Sequence, residues 1–508
     1  MAKKRRSEKH IHLHDQPAMK QPGKPLLHKD PEIPVVILAL ILSITLLVYL
    51  PVFEAGFVWD DKSYIRDNPL ISTIDPQTIF SSYYMGNYHP VTMLFFSIEY
   101  KFFGLNETGY HILNLFLHLV NVLLVYFAVF LLCKKKQVAL IAALLFGIHP
   151  LHTESVAWIA ALKDLLYTGF FLGAYIFYLK YISEKRNKFY WIALLFFMFS
   201  LLSKAMAVSL PVVLLLTDYF KERKINLKTW IEKIPFFLPA ILFGIVAIFA
   251  QQSSQGIQDI STYSFPQRVA FASYGLITYL WKSLLPVYQS AFYPYPVKSG
   301  EPLGLPFFIY PILLLGLFAF AIYSLRFTKK LFFGIGFFAI TVFLVLQLFP
   351  VGDAVMADRY SYLSSIGIFY LAGEGFNWIW HNKGKTLAFA LLVPIVLFFS
   401  VLTYVRNTVW ENEITLWTDV IKKFPEALIA YNNRGGAYLM EKKFDEALAD
   451  LNKVIQSRPG NAEALNNRAV ILSNKKRIKE ALDDLNKALE SRPDYAEDRK
   501  STRLNSSH

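Results

Sequence analysis

A succession of long apolar runs constrains this chain more than any other feature. They fall at 33–53, 109–132, 138–149, 165–182, 189–203, 206–220, 234–250, 306–326, 331–349, 361–380 and 386–405. A hydrocarbon core about 30 Å thick takes about 20 apolar helical residues to cross. Backbone polar groups in lipid must be satisfied inside the segment, which makes such runs helices. Several fall short of that length, so those at 138–149 and 189–220 are expected to be broken or buried in the bundle. The fold expected is all-α: a polytopic membrane bundle of about eleven spans over residues 33–405.

Charge supplies the orientation. The formal net charge is +14, in a chain that is 54% hydrophobic. Its positive residues gather in short clusters between apolar runs, the pattern of cytoplasmic loops and not of a nucleic-acid surface. With the N-terminus cytoplasmic, CKKKQ (133–137), SEKRNK (183–188), KERKINLKTWIEK (221–233), RFTKK (326–330) and HNKGK (381–385) all fall inside. This holds only if the run at 268–287, interrupted by Lys282, lies at the outer surface without crossing. The region after the last span is then outside.

Residues 1–32 read as a disordered, basic cytoplasmic tail, since they lack the apolar core of a signal peptide. Within it His10, His12 and His14 alternate, a pattern compatible with metal but more simply a solvated tail. The lone cysteine, Cys133, excludes an internal disulfide and reads as an inert thiol at a helix end, with a juxtamembrane lipid anchor as the alternative. The sequon at Asn106 matters only in a glycosylating compartment.

Past residue 410 the pattern changes. Asn432, Ala447, Leu451 and Pro459 recur 34 positions on as Asn466, Ala481, Leu485 and Pro493. That period and its small-residue and proline positions match tetratricopeptide repeats, pairs of packed helices that form a concave groove for extended peptides or partner proteins. Repeats are therefore expected over 411–497, outside the membrane, with 411–425 the remnant of a degenerate first repeat. Residues 498–508, DRKSTRLNSSH, match a translated sequencing adapter, are set aside as artefactual, and leave the repeats expected to continue.

The same orientation gathers WDDKSYIRDNP (59–69), NYHP (87–90), HPLHTESVAWIAALKD (149–164), SKAMAV (203–208) and GDAVMADRYSY (352–362) on the outer face. Such a set fits transfer of a sugar from a polyprenyl phosphate. The phosphate is already a competent leaving group, so the reaction calls for a carboxylate base and for cations that receive the departing anion. Asp60 or Asp61 supplies the base, and Arg359, Lys204 and Lys163 are the anion partners. His89, His149, His152 and Glu154 are candidates to orient substrate. Adjacent side chains point apart, so only one of the two aspartates is expected at the acceptor while the other anchors the loop or holds a cation. The polar stripe His111, Asn114, His118 and Asn121 is expected to make interhelical hydrogen bonds; metal ligation is the alternative. No metal-binding spacing is present.

The stretches FVWDDKSYIRDNPLI, FGIHPLHTESVAWIAALKDLLY, LLSKAMAVSLPVVLLLTDY and DRYSYLSSIG, with YHPVTMLFF and the trailing repeats, occur in an order that resembles the transmembrane and tetratricopeptide-repeat-containing O-mannosyltransferases. These are multispanning glycosyltransferases of the GT-C type. The resemblance covers residues 33–497 and implies inverting transfer of mannose or another hexose from a polyprenyl- or dolichyl-phosphate donor. It implies an acceptor hydroxyl, on a protein Ser or Thr presented by the repeats, and no cofactor beyond the donor. The family's acidic motif lands on Asp60 and Asp61, with Asp60 the expected base. Its other motifs land on His149, Pro150, His152 and Glu154, on Lys163 and Asp164, and on Arg359 and Tyr360. Two departures stand out: His89 where an arginine is expected before proline, and Ala205 where a glutamate follows the Ser-Lys pair. Lysine-rich loops lean toward a bacterial relative, with the repeats in the periplasm; a eukaryotic one would sit in the endoplasmic reticulum membrane. A non-enzymatic repeat scaffold and a transporter are the competing readings. A scaffold needs none of the outer motifs, and a transporter concentrates its polar groups at mid-membrane.

Overall fold

The computed structural model describes residues 33–224, 226–254, 256, 262–297 and 300–492. The basic tail (1–32), the end of the repeats (493–497) and the adapter-like segment (498–508) lie outside the described residues. Each apolar run coincides with a helix: α1 (Val35–Val48), then, after the short α2 (Pro69–Ser72), α3 (Pro76–Ser81) and α4 (Pro90–Phe103), the long α5 (Glu107–Cys133). There follow α6 (Lys136–Ile148), a short α7 (Thr153–Ala157), α8 (Leu162–Glu184), α9 (Asn187–Ser203), α10 (Leu210–Phe220), α11 (Leu227–Ser253) and α12 (Phe265–Leu284). The bundle closes with α13 (Ile309–Ser324), α14 (Lys329–Val342), α15 (Ser361–Asn382) and α16 (Lys385–Thr408).

Among the described residues five helices are long and apolar enough to cross a membrane, or six if a bent pair counts as one span. That pair is Lys136–Ile148 with Pro150–Ala157, bent by 54° where Pro150 cannot continue the ladder. Lys204, whose backbone is extended, interrupts the 189–220 run and leaves α9 and α10 separate. Outward faces of α11, α13 and α16 expose Ile241, Phe249, Ile312, Leu315, Leu397 and Val401. An apolar belt of this kind matches lipid and not water.

The basic clusters meet at one end of the bundle. There Glu374 accepts Lys135 at 2.9 Å and Lys330 at 2.6 Å, while Lys221 caps the last turn of α5 by donating to the Leu132 carbonyl at 2.5 Å. The acidic and histidine-bearing segments meet at the other end. Both ends of α12 have contacts there, Arg268 with the Leu348 carbonyl at 3.1 Å and Lys282 with Asp358 at 3.6 Å.

The repeats are α17 (Glu413–Lys423), α18 (Leu428–Met440), α19 (Phe444–Ser457), α20 (Ala462–Asn474) and α21 (Ile478–Ser491). Their 34-residue period reappears as chemistry. Arg434 grips Asp450 through two N–H···O bonds at 2.8 and 2.9 Å, and Arg468 grips Asp484 at 2.7 and 2.6 Å. The array is joined to the bundle at α17. Trp417 meets Trp59 edge-on at 5.3 Å, Gly56 N–H donates to the Glu411 carbonyl at 2.9 Å, and Lys62 pairs with Glu413 at 2.7 Å.

Candidate active site

The two aspartates, of which the resemblance alone favours Asp60 as the base, have different surroundings. Asp61 is buried, and its two carboxylate oxygens accept the Val58 N–H at 3.0 Å and the Ala160 N–H at 2.7 Å. It pins the acidic loop to the turn that precedes α8. Burial pushes its carboxyl well above the usual range, and these two N–H donors pull against that. Asp60 is half-buried and accepts no hydrogen bond on its side chain among the described residues. Burial raises its pKa too, opposed by the positive charges of Lys163 and Arg359. The anchor is Asp61, and the free carboxylate is Asp60.

Aromatic rings hold the cations that face Asp60. Trp59 stacks on Trp158 with ring centroids 4.7 Å apart. Its backbone is left-handed, φ 56°, a strain of about 1–3 kcal/mol that the tryptophan stack offsets. Arg359 lies over Trp158 at 5.1 Å and over Tyr360 at 4.9 Å. Lys163 lies over Tyr64 at 4.6 Å and donates to its hydroxyl at 3.3 Å. Lys204 pairs with Asp164 at 2.6 Å and lies over Tyr360 at 5.3 Å. Glu154 accepts both the Arg359 backbone N–H, at 3.0 Å, and its guanidinium.

His89, Lys163, Lys204 and Tyr360 line one cavity of about 190 Å³. His89 caps the start of α4, is 3% exposed, and neither ring nitrogen has a hydrogen-bond partner among the described residues. Burial, then Lys163 and Lys204, hold its pKa well below the ordinary value, so the imidazole is neutral. Part of its lining is apolar, with Ala247, Leu344 and Phe349, and the last two are exposed. A charged head with an apolar tail fits this shape.

His149 and His152 correct the sequence reading, because neither reaches the cavity. His152 is fully buried, with Nδ1 2.8 Å from the Phe146 carbonyl and Nε2 3.0 Å from Ser365 Oγ. His149 packs between Phe369 and Phe399 and accepts the Leu151 N–H at 3.3 Å. Both fasten the bend after α6. The stripe on α5 buttresses the site as interhelical hydrogen bonding requires. His111 donates to the Ala55 carbonyl at 3.0 Å, and Asn114 to that of Trp158 at 3.2 Å. His118 and Asn121 converge on the Tyr362 hydroxyl at 2.7 and 3.3 Å. The Asn106 side chain is the N-cap of α5, accepting from Thr108 N–H at 3.1 Å.

Sequence reasoning overlooked the support behind Arg359. A two-stranded ladder pairs β1 (Tyr293–Pro294) with β2 (Ala354–Met356), and Tyr293 donates to Asp358 at 2.8 Å. Lys282 joins the same cluster, so the lysine that breaks the 268–287 run was the available signal. Among the described residues no group of three His, Cys, Asp or Glu is placed to hold a metal ion.

The tetratricopeptide repeat family matches residues 414–462 and 462–495. The mouse protein O-mannosyl-transferase TMTC3 is 27% identical over 83% of this chain and 51% of its own length. Over most of its length the chain is thus similar to protein O-mannosyl-transferases. The Caenorhabditis elegans protein O-mannosyl-transferase F38B6.6 is 27% identical over 78% of this chain and 59% of its own length. Drosophila melanogaster Tmtc1 is 24% identical over 83% and 61%. The chain thus spans about half to three fifths of the length of these curated relatives. Looser overall likenesses join it to two solved structures. One is the Archaeoglobus fulgidus oligosaccharyltransferase tethered with an acceptor peptide, with 14% identity, TM-score 0.43, and coverage of 81% of this chain and 58% of that one. The other is ArnT from Cupriavidus metallidurans bound to undecaprenyl phosphate, with 12% identity, TM-score 0.43, and coverage of 90% and 76%.

Proposed function

We propose that the chain is a membrane glycosyltransferase that moves a hexose, mannose by its relatives' names, from a polyprenyl-phosphate donor to an acceptor hydroxyl. The carrying observation is Asp60, a half-buried carboxylate free of hydrogen bonds, facing Lys163 and Arg359 beside a cavity with a cationic head and an apolar wall. The donor phosphate sits among His89, Lys163 and Lys204, with Arg359 behind Tyr360, and the isoprenoid leaves past Leu344 and Phe349. Asp60 takes the acceptor's proton as the hydroxyl oxygen forms its bond to the anomeric carbon. The bond from that carbon to the phosphate oxygen breaks on the opposite face, and the phosphate keeps the electron pair.

Charge balance favours this direction. Before reaction Lys163, Lys204 and Arg359 are matched by Asp60, Asp164 and Glu154. When Asp60 is protonated the cluster gains one positive charge, at the moment the leaving phosphate gains one negative charge. Stabilisation that appears only as the bond breaks lowers the barrier and not merely the binding constant. By the positive-inside rule the reacting end faces away from the cytoplasm, into a bacterial periplasm or, in a eukaryote, the endoplasmic reticulum lumen. On this reading residues 33–405 are the catalytic domain and the repeats from 411 stand on the same side.

The test is purification in detergent, mass spectrometry of co-bound lipid, and an assay with polyprenyl-phosphate mannose and a Ser/Thr peptide. Glycopeptide and free polyprenyl phosphate are expected. Absence of turnover with every hexose donor, together with no isoprenoid phosphate in the preparation, would overturn the reading.

A further inference from the structure

By sequence α17 opens the repeat array, but by packing it belongs to the bundle. Leu416, Trp417 and Val420 are buried in the same apolar core as Tyr110, Trp158 and Leu162. Ala447, Leu451 and Val454 of α19 sit in a core of their own. The first turns of α17 and the residues just before it meet the acidic loop on both sides of Asp60. Ahead of Asp60, the Gly56 N–H donates to the Glu411 carbonyl at 2.9 Å, and Trp59 meets Trp417 edge-on at 5.3 Å. Beyond it, Lys62 pairs with Glu413 at 2.7 Å. At the other end of the helix the Phe424 ring lies 5.7 Å from that of Tyr293, whose hydroxyl donates to Asp358, the neighbour of Arg359.

We infer that α17 is a brace for catalysis, in which Trp417, Glu413 and Phe424 are positioning residues that set where Asp60 stands relative to Arg359. The inference rests on the glycosyltransferase reading and deepens it: transfer depends on the first helix of the array even for an acceptor that never touches the repeats. Asp60 makes such a brace necessary. Its carboxylate has charges nearby but no hydrogen bond to fix it, so the backbone on either side decides its direction. Trp59, just before it, is left-handed at φ 56°, a conformation that a bulky residue keeps only where its surroundings impose it. Two rings impose it here, Trp158 from the bundle and Trp417 from the array. Loss of Trp417 frees Trp59 to relax toward negative φ, which turns Asp60 away from the cations.

The ion pair restrains the other side. Glu413 is the first residue of α17, where the helix dipole favours a carboxylate, and it is 14% exposed against 31% for Lys62. A pair so shielded is screened less by salt than a solvated one. An array that only delivered acceptors would be served by a loose linker and would need none of these contacts.

The experiment follows transfer from polyprenyl-phosphate mannose to a small soluble hydroxyl acceptor, too short to reach the repeats, by the full-length protein in detergent. Trp417→Leu is expected to lower kcat about a hundredfold, the cost of about 1 Å of misplacement. KM for the donor should hold, because His89, Lys163 and Lys204 are not part of the brace. Trp417→Phe keeps an aromatic edge and should recover most of the rate. Lys62→Glu should lower kcat about fivefold, and adding Glu413→Lys should restore it by remaking the pair in reverse. Arg468→Ala, in a later repeat, should leave this reaction unchanged. An unchanged kcat in Trp417→Leu, or a loss seen only with peptide acceptors, overturns the inference. Hydrogen exchange over residues 56–66 should quicken in Trp417→Leu while α5 and α8 stay protected. Should the whole bundle open, the charge swap decides, and a swap that fails to restore kcat overturns the brace. If the unmodified protein transfers no sugar, the enzyme reading falls and exchange alone judges the brace: faster in the loop upholds it, unchanged overturns it.

Discussion

Glu154 holds Arg359 from two directions, one carboxylate oxygen on the backbone N–H at 3.0 Å and the other on the guanidinium. The pairing fixes the plane of the guanidinium against Trp158, where a lysine has neither the flat face nor the second donor. Arg359→Lys is expected to lower transfer by about a hundredfold, the scale seen when one donor to a developing charge is lost. Glu154→Gln leaves the arginine without its counter-charge in a site where Glu154 is 3% exposed, and is expected to cost about 2–3 kcal/mol of stability. Kinetics on the first variant and denaturant unfolding of the second separate the two roles. An Arg359→Lys enzyme with unimpaired turnover would remove the arginine from the phosphate site.

The two neighbouring aspartates are expected to fail differently. Asp60→Asn removes the proton acceptor and touches no structural hydrogen bond, so transfer should vanish while the melting temperature and co-purified lipid hold. Asp61→Asn turns an NH2 toward the N–H of either Val58 or Ala160. Leaving such a buried donor unpaired costs about 1–3 kcal/mol, so this variant should melt earlier and lose activity through the displaced loop. Thermal unfolding followed with lipid mass spectrometry checks both. Reversed phenotypes would exchange the roles.

A pH profile gives an independent test of the base. Burial raises the Asp60 pKa, while Lys163 and Arg359 oppose the rise. The working form is the carboxylate, so kcat/KM should fall as pH drops through a value above the ordinary carboxylate range. Removing a nearby positive charge disfavours the carboxylate further and lifts its pKa. Lys163→Met should therefore move the acid limb to higher pH in whatever activity survives. A limb that stays in place, or moves to lower pH, would mean that another group is the base.

How much of this was legible in the sequence follows from which interactions have a local signature. Apolar run lengths, charge clusters and the 34-residue period each reflect a short-range rule, and they located the helices, the end where the acidic and histidine-bearing segments meet, and the repeats. Residue type and spacing alone did not rank Asp60 against Asp61, which only the resemblance did, because the difference between them depends on Ala160, a residue distant in the chain that supplies an N–H. His149 and His152 misled for a related reason. In sequence a histidine beside an acidic motif looks catalytic, yet here both rings make buried hydrogen bonds within the bend after α6, His149 accepting from Leu151 N–H and His152 pairing with the Phe146 carbonyl. Lys282 was visible as an interruption, but its partner Asp358 is brought near only by the β1–β2 pairing.

The stripe on α5 carries the last prediction. The Tyr362 hydroxyl donates to His118 Nδ1 at 2.7 Å and accepts from Asn121 at 3.3 Å, and all three side chains are buried. Asn121 also reaches the Leu165 carbonyl at 3.0 Å, and His118 the Gly147 carbonyl at 3.0 Å, so one hydroxyl ties together α5, α6, α8 and α15. Tyr362→Phe keeps the ring and its packing but leaves the His118 acceptor unpaired. The expected cost is about 1–3 kcal/mol, seen as a lower melting temperature. Because Tyr362 lies behind the cavity and not on it, the folded fraction should keep its KM for donor. A large rise in that KM with an unchanged melting temperature would instead make Tyr362 part of the donor site.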